Sequence, residues 1–246
     1  MTPADAADLS SLLKQLKSAY KDAEISSPSD DPYADPVEHV LWALLLWECT
    51  PVKAREAYKR FIEATTDFNE LRVMLKADFE ELLGPRYPLV SERAARIKMA
   101  LNDIYNREHD VTLAHLHKAQ KREARKYLDS IEGLPHFAAA RVVAVSLGGH
   151  AIPVDEKLRE RLIETGVADD KSDATSLSGS LERAIKAADG SEAIALFEAW
   201  TSDPSPSVKG KKKAPAKKSA APAKKTTKKA ASRKKTSKKT TRKTKG

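Results

Sequence analysis

The 246-residue chain contains a single cysteine, Cys49. One thiol excludes an internal disulfide and any four-cysteine metal or cluster site. Long apolar runs are missing as well. No stretch reaches the 18 apolar residues of a membrane span, and the first residues lack the charged-then-apolar order of a secretory signal. The expectation is a soluble, intracellular, monomeric protein of the cytoplasm or nucleoid (the nucleus in a eukaryote), with no membrane partner. No segment alternates apolar and polar residues as a half-buried strand does. Metal-ligand spacing is confined to His115-x-His117, which has no cysteine or carboxylate at ligand distance, so a solvent-facing pair and no metal are expected. Acids are absent from one whole region: positions 204–246 hold 18 of the 44 Lys and Arg residues and no Asp or Glu.

What is present divides into two materials. Positions 1–203 keep 26 basic against 35 acidic residues, a charge of −9 beneath an overall +9. Apolar residues recur there near every 3.6 positions in Leu9–Tyr20, Ala54–Ile62, Ala94–Tyr105, Leu158–Ile163, Leu181–Ala187 and Ala193–Trp200. Pro28, Pro32, Pro85, Pro88, Pro135 and Pro153 punctuate the pattern. The fold class expected is all-α. Residues 1–34 read as a short helix and linker, 35–203 as one helical domain, and 204–246 as a separate basic tail.

The tail repeats Lys pairs among Ala, Pro, Ser and Thr, has no core-forming residues, and is expected to be disordered in isolation. It resembles the C-terminal tails of linker histones and lysine-rich nucleoid proteins. Lys211, Lys212, Lys213, Lys217, Lys218, Lys224, Lys225, Lys228, Lys229, Arg233, Lys234, Lys235, Lys238, Lys239, Arg242 and Lys243 are its candidate phosphate contacts. Charge of this kind releases counterions from nucleic acid, binds without sequence preference and weakens steeply with salt. Lysine without aromatics gives no base readout, so RNA is a partner as open as DNA on this evidence alone.

The most informative stretch runs from Ile131 to Asp155, IEGLPHFAAARVVAVSLGGHAIPVD. A helical run over 120–130 ends at a Gly-Leu-Pro turn, an apolar helix follows over 137–147, and after Gly148-Gly149 a lone aspartate precedes a helix over 156–164. This resembles the helix-hairpin-helix and Gly/Pro-Asp segment of the endonuclease III superfamily of DNA glycosylases. In that family an L-P-G-V-G hairpin grips DNA phosphates and the aspartate of a V-D pair sits beside the target sugar. Ile131, Glu132, Gly133, Leu134 and Pro135 take the hairpin, and Val154-Asp155 takes the V-D pair. The position of the family's lyase lysine falls on Phe137. The resemblance also implies a two-lobed helical body with the cleft between lobes. The segment after Thr50 is expected in one lobe, and Asp35–Trp47 with the last helices in the other.

Further resemblances are weaker. Asp35-Pro36 followed by a Leu/Trp run to Thr50-Pro51 is similar to the family's entry helix, with Asp35 as cap and Pro36 at the first helical position. Glu48 then stands where relatives carry the glutamine that fills the gap left by a flipped base. A base-edge contact, a second acid and a plain solvated glutamate all remain open for it. The text over 82–98 is similar to a second family segment and offers Arg86, Arg93, Arg96 and Lys98 as phosphate contacts or as a solvated basic face. The four-cysteine iron–sulfur loop of many relatives is excluded, and no cofactor is expected.

The chemistry implied is cleavage of a base from deoxyribose through an oxocarbenium-like sugar. A carboxylate near C1′ stabilises that charge and orients or deprotonates water. One aspartate suffices for a monofunctional glycosylase, whereas strand cleavage needs an amine for a Schiff base. Phe137 removes the usual amine, and Lys157 is the nearest substitute, on a different helix face from Asp155. The alternative role of Asp155 is a helix N-cap. Within the hairpin, Pro135 removes an N–H donor and Glu132 repels phosphate unless a cation bridges them. An acidic body with such a hairpin binds DNA weakly by itself, so the tail is expected to tether it. A non-catalytic, nucleoid-associated descendant of the fold stands as the alternative function.

Overall fold

The computed structural model describes residues 3–208, with side chains from residue 8. The lysine-rich stretch, and with it the Lys211-to-Lys243 contacts proposed above, lies outside the described residues. Among the described residues the backbone is helical, with two short 3-10 turns and no strand.

The first lobe is a continuous stretch of chain. α2 (Pro36–Leu46) begins where Asp35 accepts the Val37 N–H at 3.0 Å and Pro36 needs no donor. The same carboxylate takes the Leu113 N–H at 2.8 Å and the Thr112 hydroxyl, fixing the entry of α2. Every α2 residue except Glu38 is buried, as its all-round apolar sequence requires. Around it lie α3 (Pro51–Ala64), α4 (Phe68–Val73), α5 (Lys76–Leu83), α6 (Val90–Glu108), α7 (Lys121–Asp129) and α8 (His136–Val145). α2 packs on α8, α3 and α6, so it is the centre of this lobe's core and does not return to the other lobe. That corrects the lobe assignment expected from sequence: an all-apolar helix is stable only where neighbours surround it.

The second lobe joins α1 (Pro3–Ala19) to α9 (Glu156–Glu164), α10 (Ala174–Ala184) and α11 (Gly190–Ser202). Leu9, Leu12 and Leu16 from α1 enter one core with Leu158, Leu162, Leu181, Phe197 and Trp200. Val208 is buried in the same core, so the body continues past Asp203. No described helix is long and apolar enough to cross a membrane.

Charged side chains stitch the lobes together. Arg125 of α7 grips Glu182 of α10 through two 2.9 Å hydrogen bonds, and Arg141 of α8 meets Glu198 of α11 at 2.9 Å. The Arg141 pair is buried, and Glu198 Oε2 meets the guanidinium without the alignment of a hydrogen bond. Removing one partner of such a pair strands a charge in a dry interior. The segment between α1 and α2 crosses the same seam: Arg141 donates to the Ser26 carbonyl at 2.6 Å, and the Ser26 N–H donates to Glu198 at 3.2 Å.

Arg93 is the other buried guanidinium, wholly inaccessible within α6. It donates to the carbonyls of Leu44, Leu45 and Trp47, the open C-terminal end of α2, and lies over the rings of Tyr87 and Trp47. Arg93 is therefore an internal helix cap and not a phosphate contact. Burial lowers its pKa from the ordinary arginine value.

Candidate functional site

Asp155 sits at the seam, at the first turn of α9. Val154 is buried in the second core and Asp155 has extended backbone, which places its side chain over the helix N-terminus. One carboxylate oxygen accepts the Leu158 N–H at 2.9 Å and the other accepts the Glu48 N–H at 3.2 Å. Asp155 is thus both an N-cap and a tie to the first lobe, only 8% exposed. Burial raises its pKa, while its backbone donors and Lys157 act in the opposite direction.

Glu48 occupies the turn between α2 and α3 with φ of 53°, a left-handed conformation unusual for glutamate. Its backbone N–H holds Asp155, and its Oε1 accepts the Glu156 N–H at 2.7 Å. Lys157 completes the tie by donating to the Cys49 carbonyl at 3.1 Å. The first N–H groups of α9 are therefore satisfied by two carboxylates from opposite lobes, a favourable place for negative charge. Burial, then the nearby Asp155 charge, pushes the half-buried Glu48 carboxyl up to about 7. Sequence alone placed Glu48 and Asp155 in one family pattern. It gave no sign that a residue 107 positions away would donate its backbone to the aspartate.

Phe137 packs against the first core and, with Cys49, Arg141, Asp155, Phe197 and Glu198, lines a cavity of about 30 Å³. That space admits about one water molecule. No amine stands at the Phe137 position, and Lys157 directs its ammonium to the Cys49 carbonyl. Trp47 is occupied elsewhere, under the guanidinium groups of Arg93 and Arg96. The sequence missed Arg141 and Glu198, which have no motif spacing and meet only through the packing of α8 on α11.

The 131–135 turn lies at the surface. Ile131 is buried beneath it and Leu134 packs on the first core, while Glu132 is exposed. Gly133 has φ of 82°, and a Cβ there would stand 2.8 Å from the Met99 Cβ and 3.0 Å from the Arg96 carbonyl. Glycine is thus required twice, by conformation and by space. The Glu132 N–H is taken by Asp103 at 2.8 Å, and the Leu134 N–H by Ile131 at 3.2 Å. Pro135 caps α8, its carbonyl receiving the Ala138 and Ala139 N–H groups. The N–H groups of Gly133, His136 and Phe137 have no acceptor among the described residues.

Other basic candidates are largely committed to the protein. Arg96 bridges Glu92 and the Gly133 carbonyl, Lys98 donates to the carbonyls of Arg72 and Met74, and Arg86 stands exposed. His117 contacts the Ala34 carbonyl at 3.1 Å, so it is half-buried and structural, whereas His115 is exposed beside Glu108 and Tyr127. The described residues contain no group of three or more His, Cys, Asp or Glu placed to hold a metal.

No protein-family model and no curated relative matches the chain. Solved structures do. A non-covalent endonuclease III–DNA complex aligns with a TM-score of 0.64 at 16% identity, over 82% of this chain and 90% of that one. A thermostable thymine-DNA glycosylase aligns with a TM-score of 0.56 at 13% identity, over 79% and 86%. The 8-oxoguanine glycosylase/lyase of Clostridium acetobutylicum gives 0.58 at 18% identity, over 78% and 68%. The overall fold is thus shared at identities far below those that transmit an activity. The chain has an endonuclease III-like fold, shared with these solved DNA glycosylases.

Proposed function

We propose that the protein is a DNA-binding base-excision-repair factor and a monofunctional DNA N-glycosylase, with Asp155 as its sugar-facing carboxylate and the lysine-rich tail as its tether to DNA. The observation that carries this reading is the position of Asp155: a nearly buried carboxylate at the lobe seam, opposite Phe137, in a fold whose solved neighbours include endonuclease III on DNA. A carboxylate in such a low-dielectric seam stabilises a cationic sugar far better than one in water. Phe137 in place of an amine favours base release without strand cleavage.

The hairpin supports phosphate contact through the unpaired N–H groups of Gly133, His136 and Phe137 at the start of α8. Glu132 and Asp103 stand beside that turn, so a bridging cation belongs to the proposal. An excess of nine negative charges on positions 1–203 opposes DNA, and 18 positive charges on positions 204–246 attract it. The tail therefore raises the local DNA concentration for a weakly binding body.

The cavity beside the Asp155 carboxylate is about 30 Å³, too small for a base in this conformation. That geometry, with both Asp155 oxygens engaged, supports a second reading in which the fold is a DNA-binding scaffold without catalysis. Duplexes carrying uracil, oxidised pyrimidine, alkylated purine or an abasic site decide between them. Base release by the intact protein, lost in Asp155→Asn with DNA binding retained, is the expected result. No release from any duplex leaves the scaffold reading standing.

A further inference from the structure

We propose that Glu48 is the proton donor to the departing base, while Asp155 faces the sugar. This rests on the glycosylase reading above and assigns the division of labour within its site. The two carboxylates are neighbours held in different ways. Asp155 uses both oxygens to hold backbone N–H groups, from Leu158 on its own helix and from Glu48 across the seam, and it is nearly buried. Glu48 uses one oxygen, Oε1, to accept the Glu156 N–H, and its Oε2 has no protein partner among the described residues. Glu48 is also the more accessible of the two. Its left-handed backbone turns the side chain onto the α9 N-terminus, a conformation that persists only where surrounding contacts enforce it.

The charged groups facing Glu48 come from two elements. Asp155, Glu156 and Lys157 belong to the start of α9, and Arg93 approaches from α6. Partial burial, then the like charge of Asp155, pushes the Glu48 carboxyl up to about 7, and because Oε1 accepts the Glu156 N–H the transferable proton is placed on Oε2. Paired carboxylates whose surroundings separate their affinities for a proton divide acid and base roles in this manner. A glutamine at this position can donate a hydrogen bond but cannot surrender a proton.

The step balances as follows. The C1′–N bond breaks and its electron pair goes to the base, which takes the proton from Glu48 Oε2. A water oxygen bonds to C1′, and the proton it releases passes to the Asp155 carboxylate. The proton then returns through solvent to Glu48, so the net reaction consumes one water and frees one base and one abasic sugar.

The test is selectivity by leaving group. A neutral lesion base needs a proton to depart, whereas an N7-methylated guanine already carries positive charge and departs neutral. Single-turnover release by the intact protein is measured on both duplexes from pH 5.5 to 8.5, for the wild type and Glu48→Gln. The expected result is a wild-type rate on the neutral base that falls above about pH 7. Glu48→Gln should lower that rate about 100-fold, with no fall near neutrality, and should spare the methylated guanine. Equal losses on both bases, or an unchanged pH profile in Glu48→Gln, overturn the proposal while leaving the glycosylase reading intact. Release of the cationic base alone by the wild type also overturns it. Absence of release from every duplex sinks both. If Glu48→Gln fails to fold, the wild-type comparison of the two leaving groups across pH still decides.

Discussion

Replacing Glu48 by glutamine should stabilise the protein at pH 8 and leave it nearly unchanged at pH 5. Glutamine keeps the oxygen that accepts the Glu156 N–H and removes only the charge. Folding raises the Glu48 pKa from an ordinary 4.5 to about 7, by burial and by the neighbouring Asp155 charge. Between those values the unfolded chain has released the proton and the folded protein retains it, so stability falls as pH rises through that window. At 1.36 kcal/mol per pH unit the full effect is roughly 3.4 kcal/mol. Glu48 is only half-buried, and solvent screening reduces this to about 1–2 kcal/mol. For a body of this size each kcal/mol moves Tm by about 2–4 °C, so Glu48→Gln should melt roughly 2–8 °C above the wild type at pH 8. The assay is thermal unfolding of both proteins at pH 5 and pH 8. An identical Tm difference at the two pH values would refute the reasoning, because a packing effect does not titrate. Such a cost in stability accords with the catalytic role proposed for Glu48.

Three further outcomes follow from the same geometry. Removal of residues 209–246, cutting beyond the buried Val208, should abolish most of the salt dependence of duplex binding between 50 and 200 mM salt; an unchanged slope of log affinity against log salt would refute the tether. Gly133→Ala should cost about 2–4 kcal/mol, from the left-handed backbone and the contact with Met99, read as a lower denaturant midpoint. Phe137→Lys places an amine in the cavity wall shared with Asp155, and borohydride should then trap it on an abasic duplex; no trapped adduct would mean that Phe137 does not stand where the lyase lysine would.

Much of this architecture was legible in local chemistry. Asp35 and Pro36 announced the start of α2, the Gly-Leu-Pro turn announced α8, and Asp155 announced α9, because caps and prolines act on their immediate neighbours. α4 and α5 escaped notice, since six- and eight-residue helices offer too little periodicity to detect. Their caps were nonetheless in the text: Asp67 accepts the Glu70 N–H, and Asp78 accepts the Leu75 N–H. α10 begins at Ala174, seven residues before its apolar pattern was read, because Asp173 caps a turn rich in Ser and Thr. The site was half legible. Asp155 and the hairpin carried motif spacing, and Asp155 proved to be the cap that was its alternative role. Arg93 looked like any surface arginine, since nothing local distinguishes a guanidinium that ends up against three carbonyls of another helix. The tie between Glu48 and α9 depends on how two lobes meet, which neighbouring residues do not encode.

The second lobe draws α1 from one side of the first lobe in sequence and α9, α10 and α11 from the other. Tyr20 donates to Asp203 at 2.8 Å across a separation of 183 residues. A growing polypeptide can therefore assemble the first lobe as a contiguous unit while Leu9, Leu12 and Leu16 wait, uncovered, for partners not yet synthesised. Closing so long a loop is entropically slow, which makes docking of α1 a late folding event and its apolar stripe the surface on which a chaperone has most time to act.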